Sequence, residues 1–315
     1  MPGEIARCIL AGGAARLVVA LTTPAAREAA RRHQASGAAA LALARGTTAG
    51  LLLSTLTKDQ ERITLQVLGD GPLGGLTVDA SSSGKVRAYL RNPAVRLPPL
   101  RAVVGPSGPS GRLSLAAAVG RGGIVHVVRD LGLRETFAGE TQIATGEIDD
   151  DVEHYLTKSE QIDSALACDA IFTPSPANET DDIAIAGGLL VQALPTSGGA
   201  DVVIAARERL RDGALLRALA ERPTTAEALA VAALGDAGPD LQILDTRPVI
   251  FNCPCSRDRA ATSLTLLGPA ELAAMIIDDG KAEVICNFCR EHYDFDAADL
   301  ETLRREAAPS SGPPS

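Results

Sequence analysis

Four cysteines near the C-terminus constrain the fold of this chain more than any other feature. They follow the pattern C-x-C, thirty intervening residues, C-x-x-C, and are Cys253, Cys255, Cys286 and Cys289. Four thiolates at about 2.3 Å from one ion form a closed tetrahedral zinc site, and a C-x-x-C knuckle between two strands commonly supplies two of them. The spacing therefore predicts one structural Zn²⁺ per chain, bound by these four residues.

The segments around the cysteines predict a small module that depends on the metal. Residues 281–285 and 291–295 have the pattern of two short strands joined by the knuckle, and Asp296 can cap a last helix that carries Leu300 and Leu303. A module of fewer than about 60 residues has too small an apolar core to fold alone. Structural zinc contributes about 10–16 kcal/mol, so we expect loss of the metal to unfold the module.

Three other residues that could bind a metal or act as nucleophiles give weaker signals. His292 lies three residues after Cys289, but four sulfurs already complete the coordination sphere, so we expect this histidine outside it. Cys8 and Cys168 have no partner nearby in the sequence. They fit buried apolar positions better than reactive ones.

Length, charge and apolar patterning exclude several classes of protein. A chain of 315 residues usually forms about two domains. The net charge of −9, without a basic run, argues against a nucleic-acid partner. Glu4, Arg7 and Arg16 interrupt the apolar N-terminus, and Arg45 interrupts the apolar residues 35–56. We therefore expect no signal peptide, core helices rather than a membrane span, and a cytoplasmic protein.

Residues 62–91 alternate apolar and polar side chains around glycine-rich turns, which predicts a β-meander. Inside them, residues 69–74 match G-x-G-x-x-G, the fingerprint of a dinucleotide site. Such a site must open a helix whose N-terminus faces the pyrophosphate. Because the alternation resumes at Gly75, we interpret the motif as a turn between strands.

The middle of the chain gives three further predictions. Residues 96–112 are rich in Pro, Gly and Ser and predict a surface loop, and residues 123–130 predict a strand in which His126 is an ordinary residue. Residues 149–167 predict a helix. Its acidic start, residues 149–151, is interpreted as a solvated helix N-terminus rather than a cation site.

Residues 200–235 predict helices with a large apolar face, formed by Leu210, Leu215, Leu216 and Leu219. Gly213 and Pro223 weaken these helices on their own. Two interpretations remain open: a helical pair packed permanently on the core, or a linker that docks only under some conditions.

The spacing Cys253-Pro254-Cys255 and the charge of the module suggest regulation. A disulfide between cysteines one residue apart is expected to be strained, and strained disulfides are the labile kind. From Phe251 to Ala308 there are six Lys or Arg and eleven Asp or Glu, a net charge of −5. Nucleic-acid ribbons are basic, so this acidic module is expected to face proteins instead.

The sequence resembles the redox-regulated chaperones of the thirty-three-kilodalton heat-shock protein family over nearly its whole length. The C-terminal motifs are FNCPCSR at 251–257, LGPAEL at 267–272 and EVICNFC at 283–289. In the body they are GDGPLG at 69–74, VRAY at 86–89, SEQ at 159–161 and AGGLLVQALP at 186–195. The chain departs from the family pattern in the insertion at 98–111 and in the tail at 309–315.

The resemblance implies an α+β fold with a core chaperone domain at 1–199 built on the β-meander sheet, a helical linker at 200–250 and a zinc-binding redox-switch domain at 251–308. The tail at 309–315, where the chain departs from the family, is expected to be disordered. The resemblance also implies an ATP-independent holdase, not an enzyme, that is idle when reduced and zinc-bound. Oxidation would form the disulfides Cys253–Cys255 and Cys286–Cys289 and expel zinc. The linker would then be released, and the protein would dimerise and bind unfolding client proteins.

Two rival functions remain at this stage. A thiol-disulfide oxidoreductase would use Cys286 and Cys289, but it needs an exposed thiol of lowered pKa, usually at a helix start. A constitutive zinc-stabilised protein-binding module would bind partners whatever its redox state.

Overall fold

The computed structural model describes residues 2–56, 61–97, 102–105, 108–130, 132, 136–173 and 182–307. These residues form two compact units, with the boundary between Asn252 and Cys253. The fold is α+β, as the sequence predicts. The predicted tail at 309–315 lies outside the described residues.

The first unit is built on a long sheet with helices on both of its faces. Its strands are β1 (Gly3–Leu10), β2 (Ala15–Leu21), β3 (Arg62–Gly69), β4 (Leu76–Ser81), β5 (Lys85–Leu90), β6 (Ala102–Gly105), β7 (Gly108–Leu113), β8 (Gly123–Asp130), β9 (Phe137–Gln142), β10 (Ser164–Thr173), β11 (Asp182–Ala193) and β12 (Gln242–Phe251). Its helices are α1 (Thr23–Arg32), α2 (Gly37–Ser54), α3 (Ala116–Val119), α4 (Ile148–Lys158), α5 (Gly199–Arg211), α6 (Ala214–Ala220) and α7 (Ala226–Leu234).

The sheet has the strand order β10-β11-β2-β1-β12-β5-β4-β3-β8-β9. Its described pairs are antiparallel except β12 with β5, which are parallel and meet at Ile250–Lys85 and Phe251–Val86. β12 also pairs along β1, from Val249 opposite Gly3 to Gln242 opposite Ile9. This strand therefore joins the two halves of the sheet, although the sequence predicted residues 200–250 as a helical linker.

Helix α2 is the centre of the first unit's core. The model confirms the core helix expected within residues 35–56: α2 is long and apolar enough to cross a membrane, but 94% of it is buried inside the unit. Gly46 and Gly50 lie one turn apart on the helix. A Cβ at Gly46 would come within 2.3 Å of the Leu76 side chain, and one at Gly50 within 2.6 Å of Val78. The glycines therefore let the helix approach β4 closely.

The predicted meander is confirmed as β3, β4 and β5, paired antiparallel in order. The G-x-G-x-x-G motif lies between β3 and β4 and does not open a helix. Its glycines allow a close approach of backbones instead, because a Cβ at Gly69 would lie 1.9 Å from the Val119 carbonyl oxygen. His126 lies in β8 opposite Gln66, with its Nδ1 3.2 Å from the Gln66 amide oxygen.

The prediction of a helix over residues 149–167 is wrong in its second half. Helix α4 ends at Lys158, and residues 164–167 belong to strand β10. These residues are buried between β11 and the helices, where pairing with β11 and the Glu153 carboxylate, which accepts a hydrogen bond from the Leu166 amide, satisfy backbone groups. Tertiary context therefore outweighs the helical preference of Ala and Leu in this segment.

The acidic start of α4 is not a solvated helix N-terminus. Asp149 and Asp151 are fully buried, and Asp150 is about a third exposed. Asp151 accepts hydrogen bonds from the backbone of Ala144, Thr145 and Gly146, while Asp149 pairs with Arg112. The loop before the helix and the Arg112 guanidinium from β7 thus take the place of water.

The predicted loop at 96–112 is partly a hairpin. Residues 98–101 and 106–107 lie outside the described residues, but β6 and β7 pair antiparallel in a small sheet of their own. Backbone pairing of two short segments is compatible with glycine- and proline-rich sequence when the strands are this short. The composition alone did not reveal it.

Helices α5, α6 and α7 confirm the helical prediction for 200–235 and pack on one face of the sheet. Leu17 and Val19 of β2 contact this layer, whereas Val18 and Ala20 point to the α2 side, as strand alternation requires. The helices contribute Leu210, Leu215, Leu219, Leu229 and Leu234 to the same cluster. Thr225 caps α7 by accepting a hydrogen bond from the Ala228 amide at 3.1 Å.

The second unit is small and mostly helical. It contains α8 (Arg257–Thr265), α9 (Pro269–Asp278), β13 (Lys281–Ile285), β14 (His292–Asp296) and α10 (Ala297–Ala307). Asp296 accepts a hydrogen bond from the Asp299 amide at the start of α10, which confirms the predicted cap. The buried apolar side chains of its core are Ala260, Leu264, Leu272, Phe295, Leu300 and Leu303.

Candidate metal centre

The four cysteines come from two segments of the second unit. Cys253 and Cys255 lie in the extended stretch before α8, and Cys286 and Cys289 lie in the turn between β13 and β14. The turn is closed by two backbone hydrogen bonds, from the Cys286 amide to the Glu291 carbonyl and from the Arg290 amide to the Cys286 carbonyl, both 2.9 Å. Arg290 adopts a left-handed φ of 60°, which lets the chain enter β14. This is the knuckle predicted from the sequence.

The four sulfurs converge. All four Sγ atoms lie within 4.8 Å of one another. The Sγ atoms of Cys253 and Cys286 are 3.7 Å apart, and those of Cys255 and Cys289 are 3.2 Å apart. Tetrahedral ligands at about 2.3 Å from zinc are themselves about 3.8 Å apart, so the spread of distances fits a four-thiolate zinc site. The cysteines are free thiols rather than disulfides.

Helix α8 begins two residues after Cys255 and anchors the first pair of cysteines. Ser256 caps the helix by accepting a hydrogen bond from the Arg259 amide at 3.2 Å. The guanidinium of Arg259 turns back and donates to the Pro254 carbonyl at 3.1 Å. Arg257 lies over the ring of Phe295, 4.3 Å from its centroid, and donates to Asp299 at 2.6 Å. These contacts tie the C-x-C segment to β14 and α10.

Two of the sulfurs accept hydrogen bonds from β14 and the turn before it. The hydroxyl of Tyr293 donates to Cys255 Sγ at 3.2 Å. The backbone amide of Glu291 donates to Cys289 Sγ. Donors of this kind surround structural metal sites and orient their ligands.

Burial opposes ionisation of the thiols in the absence of a counter-charge. Burial raises the pKa of Cys255, although the hydrogen bond from Tyr293 works against the rise. Burial also raises the pKa of Cys289, and neighbouring thiols add to the effect. A divalent cation at the centre of the cluster supplies the charge that four thiolates need. The donor set therefore fits a soft, thiolate-binding metal such as zinc.

His292 lies outside the sulfur cluster. Its Nδ1 is 2.5 Å from Glu283 on the neighbouring strand, and both side chains are about half exposed. The geometry thus agrees with the expectation that four sulfurs leave no place for this histidine.

The remaining two cysteines are buried in the first unit. Burial raises the pKa of Cys8 to about 11, and burial also raises the pKa of Cys168 well above its usual range. Thiols that hold their protons in this way are poor nucleophiles. This agrees with their interpretation as small apolar residues.

The sequence analysis missed Tyr293 and Arg259. Neither residue is a metal ligand by type, so ligand spacing gives no signal for them. Alternation within β14 would have placed Tyr293 on the same face as buried Phe295. Its proximity to Cys255, however, depends on how the two segments fold together.

Comparison with known proteins agrees with this architecture. A family model described as Hsp33 protein matches residues 3–296. The 33 kDa chaperonin of Geobacillus kaustophilus (strain HTA426) is 36% identical over 307 residues, covering 98% of this chain and 99% of the relative. That of Gloeobacter violaceus (strain ATCC 29082 / PCC 7421) is 40% identical over 315 residues, covering 96% and 95%.

A solved structure shows the same fold. The crystal structure of the 33 kDa chaperonin (heat shock protein 33 homolog) from Thermotoga maritima superposes with a TM-score of 0.81 at 27% identity, covering 97% of this chain and 99% of that one. The match spans both compact units, including the four-cysteine unit. The chain therefore belongs to the Hsp33 family.

Proposed function

We propose that this protein is a redox-regulated holdase chaperone that needs no ATP and catalyses no reaction. The observation that carries the proposal is the convergence of four free thiols in a small unit with its own core. The first unit would bind unfolding client proteins, and the second would sense oxidants. Membership of the Hsp33 family supports both roles.

In the reduced state, Cys253, Cys255, Cys286 and Cys289 would hold one Zn²⁺. Bound zinc would supply the positive charge that keeps the four thiols ionised and would cross-link the C-x-C segment to the knuckle. Among the described residues, the core of this unit contains six buried apolar side chains, one of them aromatic. Such a core is small for a unit of this length, so the fold depends on the cross-link.

Oxidation would convert the four thiols to disulfides. Each pair of thiolates would give up two electrons to one molecule of peroxide, forming one S–S bond and two hydroxide ions. By family resemblance the pairs are Cys253 with Cys255 and Cys286 with Cys289. Both would close from within 4.8 Å to about 2.05 Å. Disulfide sulfurs are no longer thiolate ligands, so the cross-link would be lost and the unit would unfold.

Unfolding of the second unit would release the helices of residues 200–235 from the sheet. Those helices cover Leu17, Val19, Leu189 and Val191 with leucine and alanine side chains. Their release would expose an apolar surface with few aromatic residues. Such an aliphatic surface makes few directional contacts, which suits promiscuous binding of unfolded chains. We also propose that the oxidised protein dimerises.

The proposed domain scheme keeps residues 1–199 as the chaperone core, 200–250 as the linker, 251–308 as the switch and 309–315 as a tail. The boundary of the second unit at Cys253 supports the third division. The sheet pairing of β12 with β1 means that the linker also includes a strand. Release would therefore start with the helices, which lack this pairing.

The net charge of −9 supports a protein that binds neither nucleic acid nor anionic membrane surfaces. Within the second unit, the lining of a cavity of about 780 Å³ includes one cation, Lys281, and five acidic residues: Asp279, Glu283, Asp294, Asp296 and Asp299. Its acidic wall would repel phosphates.

We propose a cytoplasmic location, where reducing conditions keep the thiols ready for oxidation.

Light scattering of a chemically unfolded model protein tests the function. The reduced, zinc-loaded chain is expected to leave aggregation unchanged, and the chain oxidised with peroxide at mild heat is expected to suppress it without ATP. Equal suppression by both forms would favour a constitutive zinc-stabilised binding module. Sustained turnover in an insulin-reduction assay would favour an oxidoreductase, although the raised pKa of Cys289 opposes that role.

A further inference from the structure

Tyr293 connects the two halves of the sulfur cluster. It lies in β14 opposite Val284 of β13, on the segment that follows Cys289. Its hydroxyl reaches Cys255 Sγ, 3.2 Å away, in the other cysteine segment. A single side chain thus joins the C-x-C segment to the hairpin that carries the C-x-x-C knuckle.

Strand alternation fixes the direction of this side chain. Phe295, two residues later, is buried in the core of the second unit, and the Tyr293 ring packs against the same core. His292 and Asp294 occupy the opposite face and are exposed. The ring of Tyr293 is therefore partly buried against this core, and its hydroxyl is directed at the sulfur.

A hydroxyl donor lowers the negative charge that a thiolate sulfur presents to other partners. A hydrogen bond to the charged form stabilises that form, and it occupies a sulfur lone pair that would otherwise attack an electrophile. Donors of this type around metal ligands commonly change metal affinity by about 10–100-fold when they are removed.

We propose that Tyr293 is a positioning residue for the switch: its hydroxyl holds Cys255 Sγ in the cluster and restrains the attack of this sulfur on peroxide. This proposal rests on the proposed metal-binding and redox function of the four cysteines. The proposal adds a residue that sets how much oxidant is needed before the cysteines are oxidised and zinc is lost.

The restrained step is the first oxidation at Cys255. The thiolate attacks one oxygen of peroxide, the S–O bond forms as the O–O bond breaks, and hydroxide leaves with the electron pair of the broken bond. A neighbouring thiolate then attacks the sulfenic sulfur, forming the S–S bond and releasing a second hydroxide. The Tyr293 hydroxyl acts on the first step, because the sulfur lone pair that accepts its hydrogen bond is not available for attack.

Tyr293→Phe is the direct test, since it removes the hydroxyl and keeps the ring that packs in the core. In the full chain, zinc affinity measured by competition with a chromophoric chelator is expected to fall about tenfold. Zinc loss to peroxide is expected to become faster by a similar factor. Tyr89→Phe, in β5 of the first unit, removes a tyrosine hydroxyl elsewhere and is expected to change neither quantity.

Cobalt substitution gives a readout that packing alone would not move. A hydrogen bond lowers the energy of the sulfur lone pair, so the sulfur-to-cobalt charge-transfer absorption of Tyr293→Phe is expected at longer wavelength than that of the unaltered chain. Circular dichroism of the same samples checks that α8, α9 and α10 remain folded. Unchanged absorption, zinc affinity and peroxide sensitivity in a folded variant would overturn the proposal.

If Tyr293→Phe fails to fold, the unaltered chain still tests the idea. Cys255 and Cys286 are both partly exposed. With a sulfenic-acid trap during limited peroxide treatment, mass spectrometry is expected to find Cys255 modified more slowly than Cys286, and faster modification of Cys255 would overturn the proposal. An unaltered chain that binds no zinc, or keeps it in peroxide, would instead refute the proposed function itself.

Discussion

Arg45 donates a hydrogen bond to Glu147 at 2.9 Å, and both side chains are buried. The same guanidinium donates to Asp169 at 3.0 Å and to the Leu113 carbonyl at 2.8 Å. Helix α2, the start of α4 and strand β10 are thereby joined at one point inside the first unit. Breaking a buried pair of this kind leaves an uncompensated charge and is far more costly than breaking a surface pair.

Arg45→Met is therefore expected to lower the free energy of unfolding of the first unit by about 3–5 kcal/mol. Methionine keeps much of the side-chain volume but leaves Glu147 and Asp169 without their shared cation. Urea denaturation followed by circular dichroism measures the change. Arg87→Met, which breaks the partly exposed pair with Asp79, is the matched control and is expected to cost less than Arg45→Met, because water reaches both side chains. Similar losses in both variants would contradict the central role of Arg45.

Asp150 makes stability depend on pH near neutrality. Burial and the charge of Asp149 raise the pKa of Asp150 from 3.8 to about 7, against the opposing effect of Arg112. Glu147 and Glu153 add to the rise. The folded chain therefore holds this proton to a higher pH than the unfolded chain does, so this group lowers stability progressively as pH rises from about 4 to 7. Because the carboxyl is about a third exposed, water reduces the effect.

Asp150→Asn removes the charge, and it is expected to raise the urea midpoint at pH 8 while leaving the midpoint at pH 4 almost unchanged. Exposed Asp236→Asn is the control and is expected to show no such difference between the two pH values. A lower midpoint at pH 8 for Asp150→Asn would show that the charged carboxylate stabilises the fold.

The sequence predicted the cysteine cluster well because metal ligation imposes short, recognisable spacings. The knuckle, the strands β13 and β14, and the cap at Asp296 all follow from local patterns within about forty residues. The meander of β3, β4 and β5 was likewise visible, since each strand pairs with its neighbour along the chain.

Local sequence patterns did not predict the features that depend on long-range contacts. β12 pairs with β1, more than 230 residues away in sequence, and nothing in its own residues distinguishes a sheet strand from a connection. Asp149 and Asp151 have the pattern of an exposed helix start, but Arg112 and the loop before α4 satisfy them in the interior. The Tyr293 contact with Cys255 also joins segments that are 38 residues apart. Except for the loop before α4, which lies five to seven residues from Asp151, the deciding partners lie outside any local window.

Ser256 gives a mild way to weaken the C-x-C segment. Ser256→Ala removes the cap of α8, directly after Cys255, and is expected to cost about 1 kcal/mol. Ser263→Ala, in the interior of the same helix, is the matched control and is expected to be neutral or slightly stabilising, because alanine favours helices. Faster zinc loss to a chelator in Ser256→Ala but not in Ser263→Ala would connect the cap to the metal site. Equal rates of zinc loss in the two variants would show that the cap of α8 does not affect the metal site.

Cys286→Ser tests the dependence of the second unit on its metal. Loss of one of four sulfurs is expected to lower the zinc content well below one per chain and to make residues 253–307 sensitive to protease without any oxidant. Cys8→Ala removes a thiol buried in the first unit and is expected to leave zinc content unchanged. A Cys286→Ser chain that kept full zinc content and protease resistance would contradict the four-sulfur site.

Leu219 tests whether the helices of residues 200–235 gate the chaperone surface. This side chain of α6 is fully buried against the sheet, and a Cβ at Gly187 of β11 would lie within 3.4 Å of it. Leu219→Ala is expected to weaken the docking of the helices by about 2–5 kcal/mol. If docking masks the client-binding surface, the variant suppresses aggregation of a model protein at lower peroxide concentrations than the unaltered chain does.

Leu65→Ala separates specific release from general loss of stability. Leu65 of β3 is equally buried, but it belongs to the core on the α2 side of the sheet. A similar loss of unfolding free energy is expected, because the same atoms are removed from a packed interior. Activation by Leu219→Ala alone would identify the helices as the gate, since only they would have been loosened. Activation by both variants would mean that any destabilised form of the first unit binds clients, and activation by neither would mean that the helices stay on the sheet in the active form.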